Sequence, residues 1–456
     1  LWRALPDGSF QDITDAAGVR DLYYSQGVTI GDFDDDGFDD IYVLNYGRNT
    51  LLKNLGDGTF HDVTEAAGVG DELWSSSGAW GDLDGDGDLD LYVCNYCNYD
   101  TRNPPDCSKD GKPHICHPRE VPPVPDECYI NQGDGTFTAE AKRRGLFGDG
   151  NRGLGVVVFD FDQDGDADVY VANDMTPNFL FVNDGTGMFK ESAMQLGCAV
   201  DRNGSPQASM GLACGDYDGD GWLDLYSTHF QFDSNTLYRN LGAGPAGFQD
   251  VTGLVGLHSP TLPYLAFGTV MVDFNRDTRQ ELFVANGHLE PVLVEGKTVF
   301  EMNAQLFAFD GRRFQECTKS AGDYFAKKWI ARGVAVCDIN DDGAADLCVV
   351  HQDAPTALLE NTSQFGHGLT LRFRGLAANR RGVGVQVRVT AGGKTYFQEL
   401  CGGTSYASSH QPALFFGLGE FSGECDVEVR WPTGETQKLN GVSVNQSLVI
   451  EQSRGR

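Results

Sequence analysis

The sequence predicts an all-β fold, a β-propeller of four-stranded blades with a β-rich module behind it. Three observations carry this. A nine-residue acidic loop recurs along the chain. Each copy sits among short runs rich in β-branched and aromatic residues, about four runs per 50–60 residues. No segment reads as a long amphipathic helix.

The clearest loop is Asp82-Leu83-Asp84-Gly85-Asp86-Gly87-Asp88-Leu89-Asp90. Acids stand at its positions one, three, five and nine, with glycine at position six. A hard cation such as Ca²⁺ takes oxygen ligands in this way, and glycine allows the sharp turn. The copies begin at residues 32, 82, 160, 216, 273 and 338. Their candidate ligands are Asp32, Asp34, Asp36 and Asp40; Asp82, Asp84, Asp86 and Asp90; Asp160, Asp162, Asp164 and Asp168; Asp216, Asp218, Asp220 and Asp224; Asp273, Asn275, Asp277 and Glu281; and Asp338, Asn340, Asp342 and Asp346. Backbone carbonyls at position seven complete the expected set, at Phe38, Asp88, Asp166, Trp222 and Ala344. The loop at 273–281 departs most. Asn275 replaces an acid, Thr278 replaces the glycine, and Arg276 and Arg279 bring positive charge. Five Ca²⁺ sites are therefore expected, with this loop, the fifth in chain order, the doubtful one.

An EF-hand opens with the same spacing but needs a carboxylate at position 12 and flanking helices. Position 12 holds Val43, Val93, Val171, Ser227, Val284 and Val349, and the flanks read as strands. The loops are expected to be structural, because a saturated cage leaves no position open to a substrate.

Each repeat follows one order: an apolar strand ending in Gly-Asp, the loop, a strand such as Asp40-Ile41-Tyr42-Val43-Leu44-Asn45, then a hairpin with an Asp-Gly turn. The domain reading is a propeller over 1–364 and a β module over 365–456. One insertion, 96–127, interrupts the second repeat, and a smaller one lies at 288–303. The N-terminal segment already looks like the outer half of a blade. Seven blades closed by both chain ends are expected, with six, and this hairpin packed elsewhere, as the alternative.

Net charge is −32, which disfavours nucleic acid as a partner. No apolar run is long enough to span a membrane. Twelve cysteines fit an oxidising compartment, and the chain is expected to be an exported product whose leader has been removed. Cys97, Cys107, Cys116 and Cys128 bracket the long insertion as disulfide candidates in an open connectivity. Cys337 with Cys348, and Cys401 with Cys425, are further candidate pairs. Asn361-Thr362-Ser363 and Asn445-Gln446-Ser447 match the glycosylation tripeptide.

The repeats resemble the FG-GAP/VCBS family of Ca²⁺-binding propeller repeats, also seen in integrin α-subunits. The last module resembles the ASPIC/UnbV domain, on Arg381-Gly382-Val383-Gly384-Val385-Gln386-Val387-Arg388-Val389, Phe415-Phe416-Gly417-Leu418-Gly419 and Val429-Arg430-Trp431-Pro432-Thr433-Gly434. The pairing is similar to bacterial exported proteins and the cartilage acidic protein family. It implies an extracellular, Ca²⁺-binding protein.

Consecutive hairpin turns alternate faces, so the insertions should lie opposite the metal loops. His229, His288 and His351, near the ends of second strands, are candidates for a ligand face there. The leading expectation is a Ca²⁺-stabilised scaffold for adhesion, for binding an extracellular protein or glycan, or for self-assembly. The alternative is a polysaccharide-active enzyme on the insertion face. No nucleophile elbow, phosphate-cradling loop or zinc-protease helix is present to support catalysis.

Overall fold

The computed structural model describes all residues except 21–22, 109–110, 112–113, 243–245, 295–296, 365, 377–378 and 454–456. Parts of both insertions and the proposed boundary at 364/365 thus fall outside the described residues. Six antiparallel sheets follow one another. Blade 1 runs Tyr24–Gly31, Asp40–Tyr46, Thr50–Asn54 and Phe60–Asp62. Blade 2 runs Ser75–Gly81, Asp90–Asn95, Glu127–Asn131 and Phe137–Ala139. Blade 3 begins at Gly153–Phe159, blade 4 at Leu212–Gly215, blade 5 at Ala266–Val272 and blade 6 at Ala331–Cys337. Blade 6 has three strands and ends at Ala357–Leu359.

The first strands crowd the propeller axis, and their composition follows from that. A Cβ on Gly155 would stand 2.2 Å from the carbonyl oxygen of Met210, and one on Gly211 2.1 Å from that of Phe267. Glycine there lets the backbone of each blade close on the next. Apolar clusters fill the spaces between blades. Tyr42, Leu44 and Leu51 of blade 1, for example, pack with Trp80, Leu91 and Val93 of blade 2. Burial of this kind supplies about 25 cal/mol per Å² of apolar surface removed from water.

Five four-residue helices among the described residues, absent from the sequence reading, follow the N-terminal hairpin and the outer strands of blades 1 to 4. Thr64–Ala67 is one, ended by Gly68 at φ 76°. The repeated Ala-Ala-Gly at 16–18 and 66–68 was the available signal, since glycine closes a helix in the left-handed region.

Among the described residues the blades number six, the alternative the sequence left open. Trp2–Ala4 and Phe10–Asp12 pair only with each other among the described residues, and Trp2 and Phe10 stay exposed. The gap between blades 6 and 1 is closed instead from the C-terminal module. That module is two sheets around one core that includes Val387, Val429 and Trp431. His367–Arg374 pairs with Leu414–Gly419 and, in parallel, with Gln446–Glu451. Lys394–Glu399, Gln386–Ala391, Glu424–Arg430 and Thr436–Ser443 form the other sheet.

Between Glu399 and Leu414 the module sends residues 400–413 along the propeller axis. This segment meets the first strand of every blade. Gly402 and Gly403 pair with Val158 and Val157 of blade 3, and Ser405 bridges Leu212 of blade 4. The ring of Tyr406 packs on Phe267 of blade 5 at 5.0 Å. The N–H of Ala407 donates to Ser77 Oγ of blade 2, and its carbonyl accepts from Val28 of blade 1. His410 Nδ1 accepts from the N–H of Val336 in blade 6, and the N–H of Gln411 donates to the Val336 carbonyl. Residues 407–411 therefore stand where first and last blade would otherwise meet. The module does not supply blade 6 with a fourth strand.

Candidate metal centres and the insertion face

Each acidic loop joins the first and second strands of its blade, and all six share one backbone course. Position four is left-handed in every copy, at Asp35, Gly85, Gln163, Gly219, Arg276 and Asp341. So is position six, at Gly37, Gly87, Gly165, Gly221, Thr278 and Gly343. The N–H at position six donates to the first acid, as from Gly87 to Asp82 at 3.0 Å and from Gly221 to Asp216 at 2.8 Å. The N–H groups of Phe38, Asp88, Asp166, Trp222 and Ala344 donate to the acid at position five. These bonds turn the acids inward on one another.

Five loops gather three acids whose oxygens lie within 4.8 Å: Asp32, Asp34 and Asp36; Asp82, Asp84 and Asp86; Asp160, Asp162 and Asp168; Asp216, Asp218 and Asp224; Asp273, Asp277 and Glu281. Among the described residues the loop at 338–346 makes no such group. Arg372 reaches it from the C-terminal module, 3.5 Å from Asp338 and 3.4 Å from Asp341. The ranking of these two loops thus differs from the sequence expectation. The side chain of Arg276 runs under Gly368, and Glu281 brings a longer acid to position nine.

The fit to a cation rests on particular atoms. Asp34, Asp84, Asp162 and Asp218 occupy position three of loops one to four. In each, Oδ1 is buried without a hydrogen-bond partner, as is Asp32 Oδ1. A buried carboxylate oxygen with no donor is costly, and the same atom is orphaned in four successive repeats. A divalent cation would satisfy it. Basic side chains offset part of the charge: Lys53 on Asp34, Arg144 at 2.9 Å from Asp84, and Arg239 at 2.6 Å from Asp218. They leave those Oδ1 atoms unpaired.

Burial lifts the acids well above the usual carboxylate range, with neighbouring acids adding to it. Asp32, Asp82 and Asp160 rise to about 6, and Asp40, Asp216 and Asp273 to about 7. Their folded pKa exceeds the unfolded value. Without a cation, the stabilisation from bound protons is full below about pH 4 and disappears as pH rises through 6–7. A bound cation needs the deprotonated acids. The gap in melting temperature between Ca²⁺-loaded and chelated protein should therefore widen from pH 5 to pH 8, as measured by thermal unfolding at both pH values.

Thr278 holds φ 83° where the other loops have glycine. A β-branched residue there is strained. Thr278→Gly should raise stability by about 1 kcal/mol, read as a higher denaturation midpoint.

The sequence reading missed a recurrent asparagine that locks five of the six loops, the one at 273–281 being the exception. Asn54, Asn131, Asn183, Asn240 and Asn361 each give a backbone N–H to the acid at position nine, at 2.7–2.8 Å. From Asn131 on, the side chain also reaches the preceding blade: Asn131 to the Phe33 carbonyl, Asn183 to Leu83, Asn240 to Phe161 and Asn361 to Phe274. The Asn-x-Gly-Asp-Gly run at 54–58 and its near copies at 131–135 and 183–187 were the available signal. Asn361 is thereby corrected as a glycosylation candidate, because its Nδ2 is engaged by two carbonyls.

The C-terminal module is seated on the loops. The N–H of Arg380 donates to Asp35 and the Arg381 guanidinium to Asp39 in loop one. Gln386 donates to Asp160 and Arg430 to the Asp164 carbonyl in loop three. The N–H of Gly419 donates to the Arg276 carbonyl in loop five, and Thr370 to the Gly343 carbonyl in loop six.

The opposite face carries the insertions. They touch through His114 Nδ1 and Glu290 Oε1 at 3.1 Å. A cleft of about 640 Å³ lies there, lined by Trp74, Tyr96, Tyr99, His114, Ile115 and Glu290 among others. Trp74 packs edge-on against Tyr46, Tyr96 and Tyr99.

The candidate histidines are each engaged locally instead of converging. His229 is fully buried beside Thr236, and burial lowers its pKa to about 3. His288 accepts from the N–H of Glu290 and packs on Phe230. His351 stacks on Trp329 at 4.7 Å and bonds to Tyr324 and the Pro355 carbonyl.

Of the candidate disulfide cysteines, Cys107 and Cys116 are joined, within the insertion. Cys97 and Cys128 are separate buried thiols. Cys337 and Cys348 are free as well: Cys348 stands opposite Ala335, and Cys337 opposite Asp346. Cys401 and Cys425 are not partners. Cys425 lies inside the module core with its thiol on the Val442 carbonyl, and Cys401 stands at the propeller axis.

Fold and loops define a repeat protein, a β-propeller scaffold with acidic loops that could hold metal ions and a β module seated on them. The chain carries FG-GAP-like repeats, matched over residues 32–93, 123–171, 160–227 and 216–284, and an ASPIC and UnbV domain over residues 375–456. It is 25% identical over 294 residues to cartilage acidic protein 1 of Homo sapiens, covering 62% of this chain and 42% of that one. To the Xenopus tropicalis protein of the same name it is 26% identical over 314 residues, covering 65% and 45%. The chain thus spans less than half the length of the curated relatives it matches. Among solved structures, an Agrocybe aegerita lectin described as recognising non-reducing terminal N-acetylglucosamine is 17% identical, with 77% and 84% covered and a TM-score of 0.42. Trypanosoma rangeli sialidase is 13% identical, with 78% and 56% covered and a TM-score of 0.36. No helix of the described residues is long and apolar enough to cross a membrane.

Proposed function

We propose that this protein is an exported, Ca²⁺-stabilised scaffold that presents its insertion face to an extracellular protein or glycan. The observation that carries the reading is the orphaned, buried Oδ1 of Asp34, Asp84, Asp162 and Asp218. Loops of oxygen ligands suit the millimolar Ca²⁺ found outside cells. The Cys107–Cys116 disulfide fits the same compartment. So does the likeness to proteins named for cartilage. When bound, Ca²⁺ supplies positive charge to crowded acids and so holds blade to blade. The residues that would hold it are the acids at positions one, three, five and nine.

The free face follows from the seating of the module. Residues of the C-terminal module cover much of the metal-loop face, whereas the insertion face offers an aromatic cleft of a size suited to a ligand. Loops on a rigid scaffold are where binding usually resides.

The test is a screen of the Ca²⁺-loaded protein against extracellular proteins and glycans, repeated with Ile115→Asp and with Val449→Asp. Both side chains are exposed, on the insertion and on the module respectively. Ile115→Asp should abolish binding with little change in melting temperature. Binding lost only with Val449→Asp would move the contact surface to the module and overturn the assignment. Association of copies with one another, lost in Val449→Asp alone, would count the same way.

A further inference from the structure

We propose that Cys214 and Cys401 form a disulfide that ties the axial segment to blade 4. The inference rests on the exported reading above and goes beyond it, because it makes the propeller and the C-terminal module one covalently closed unit.

Cys214 lies on the first strand of blade 4, Leu212–Gly215. Cys401 immediately precedes the Gly402 and Gly403 that pair with blade 3. Two backbone anchors hold them in place: the Leu212 to Ser405 bridge on one side and the Val158 to Gly402 pairing on the other. Both cysteines line one cavity of about 110 Å³ between the axial segment and blades 4 to 6. Both are free thiols in the structure; that of Cys401 bonds the Glu399 carbonyl at 3.7 Å, and the two thiols influence each other's ionisation. Neighbouring cysteines do not compete. The Cys198 thiol bonds the Ala193 carbonyl within its own turn, and that of Cys425 bonds Val442 inside the module core.

Burial holds the Cys214 thiol up in pKa, and the neighbouring Cys214 together with burial holds up that of Cys401, so the finished fold presents little thiolate. The bond therefore has to form while the segment enters the axis. The oxidant is a small-molecule disulfide of the exporting compartment. One cysteine thiolate attacks it, forming a mixed disulfide and expelling one small thiolate. The other cysteine thiolate then attacks the protein sulfur of that mixed disulfide and expels the second. Two cysteine thiols lose two protons and two electrons, and the small disulfide becomes two thiols. The cross-link closes a loop of about 190 residues, the long-loop case in which constraint of the unfolded chain is greatest.

The test uses the intact protein recovered from an oxidising compartment. It is unfolded in guanidinium with excess iodoacetamide and no reductant, digested, and mapped by mass. The expected product is one linked pair of peptides carrying Cys214 and Cys401, two hydrogens lighter than the separate peptides. In Cys401→Ser, Cys214 should be alkylated, and the melting temperature should fall by several degrees. Alkylation of both cysteines while Cys107 and Cys116 remain linked would overturn the proposal and leave the exported reading intact. Alkylation of all four would overturn both.

Discussion

Chelation of Ca²⁺ at neutral pH should cost the protein about 6 kcal/mol of stability. The figure comes from the four loops with an orphaned oxygen. Each bound ion at ten times its Kd contributes about 1.4 kcal/mol, and the terms add for independent sites. A cooperative unit of this length unfolds with an entropy that converts 1 kcal/mol to roughly 1 °C. The expected fall is therefore about 6 °C if propeller and module melt together, and more if blades melt separately. The effect should also reach the module, because Arg380, Arg381, Gln386 and Arg430 bond to loops one and three. Chelation should thus speed proteolytic cleavage between the module and blade 6. Thermal unfolding and a timed protease digest, each with and without chelator, measure both.

The second large effect is expected at the axis. A Cβ on Gly402 would lie 1.9 Å from the Trp80 carbonyl oxygen, and one on Gly403, at φ 79°, 2.4 Å from that of Val156. Both obstacles are backbone and have little room to yield. Replacing both by alanine should cost about 3 kcal/mol or more, by overpacking and by strain at positive φ. It should also expel the segment that stands between blades 1 and 6. Gly393 is the control, because it has φ 80° and nothing within 4 Å of its Cβ. Gly393→Ala should cost only the backbone strain, about 1 kcal/mol. Denaturant midpoints of the two variants make the comparison.

Local chemistry was legible in the sequence, and long-range closure was not. Acids at fixed spacing around Gly37, Gly87 or Gly221 dictate a loop whatever surrounds them, so the acidic loops and their strands could be read directly. The insertions were legible as breaks in the spacing. The closing segment was not, because Cys401-Gly402-Gly403-Thr404-Ser405-Tyr406-Ala407 reads as an ordinary polar turn. Its small residues make sense only against the backbones of Trp80, Val156 and Leu212, hundreds of residues away. The same blindness paired Cys401 with Cys425, neighbours in the module's sequence but not in space. The histidines were singled out by position, and what decided their role was burial and the stacking of Trp329 on His351. In the loop at 273–281, composition suggested weakness, yet the backbone bonds from Asp277 and Thr278 to Asp273 still gather its acids.

The central claim is that the acidic loops are Ca²⁺ sites. Equilibrium dialysis of the intact protein against radioactive Ca²⁺ at millimolar concentration tests it most directly. At least four ions per chain should be retained, one from each loop with an orphaned oxygen. Asp34→Ala, Asp84→Ala, Asp162→Ala and Asp218→Ala should each remove one. A protein that retains no Ca²⁺, or four variants that all bind as many ions as the parent, would contradict the account.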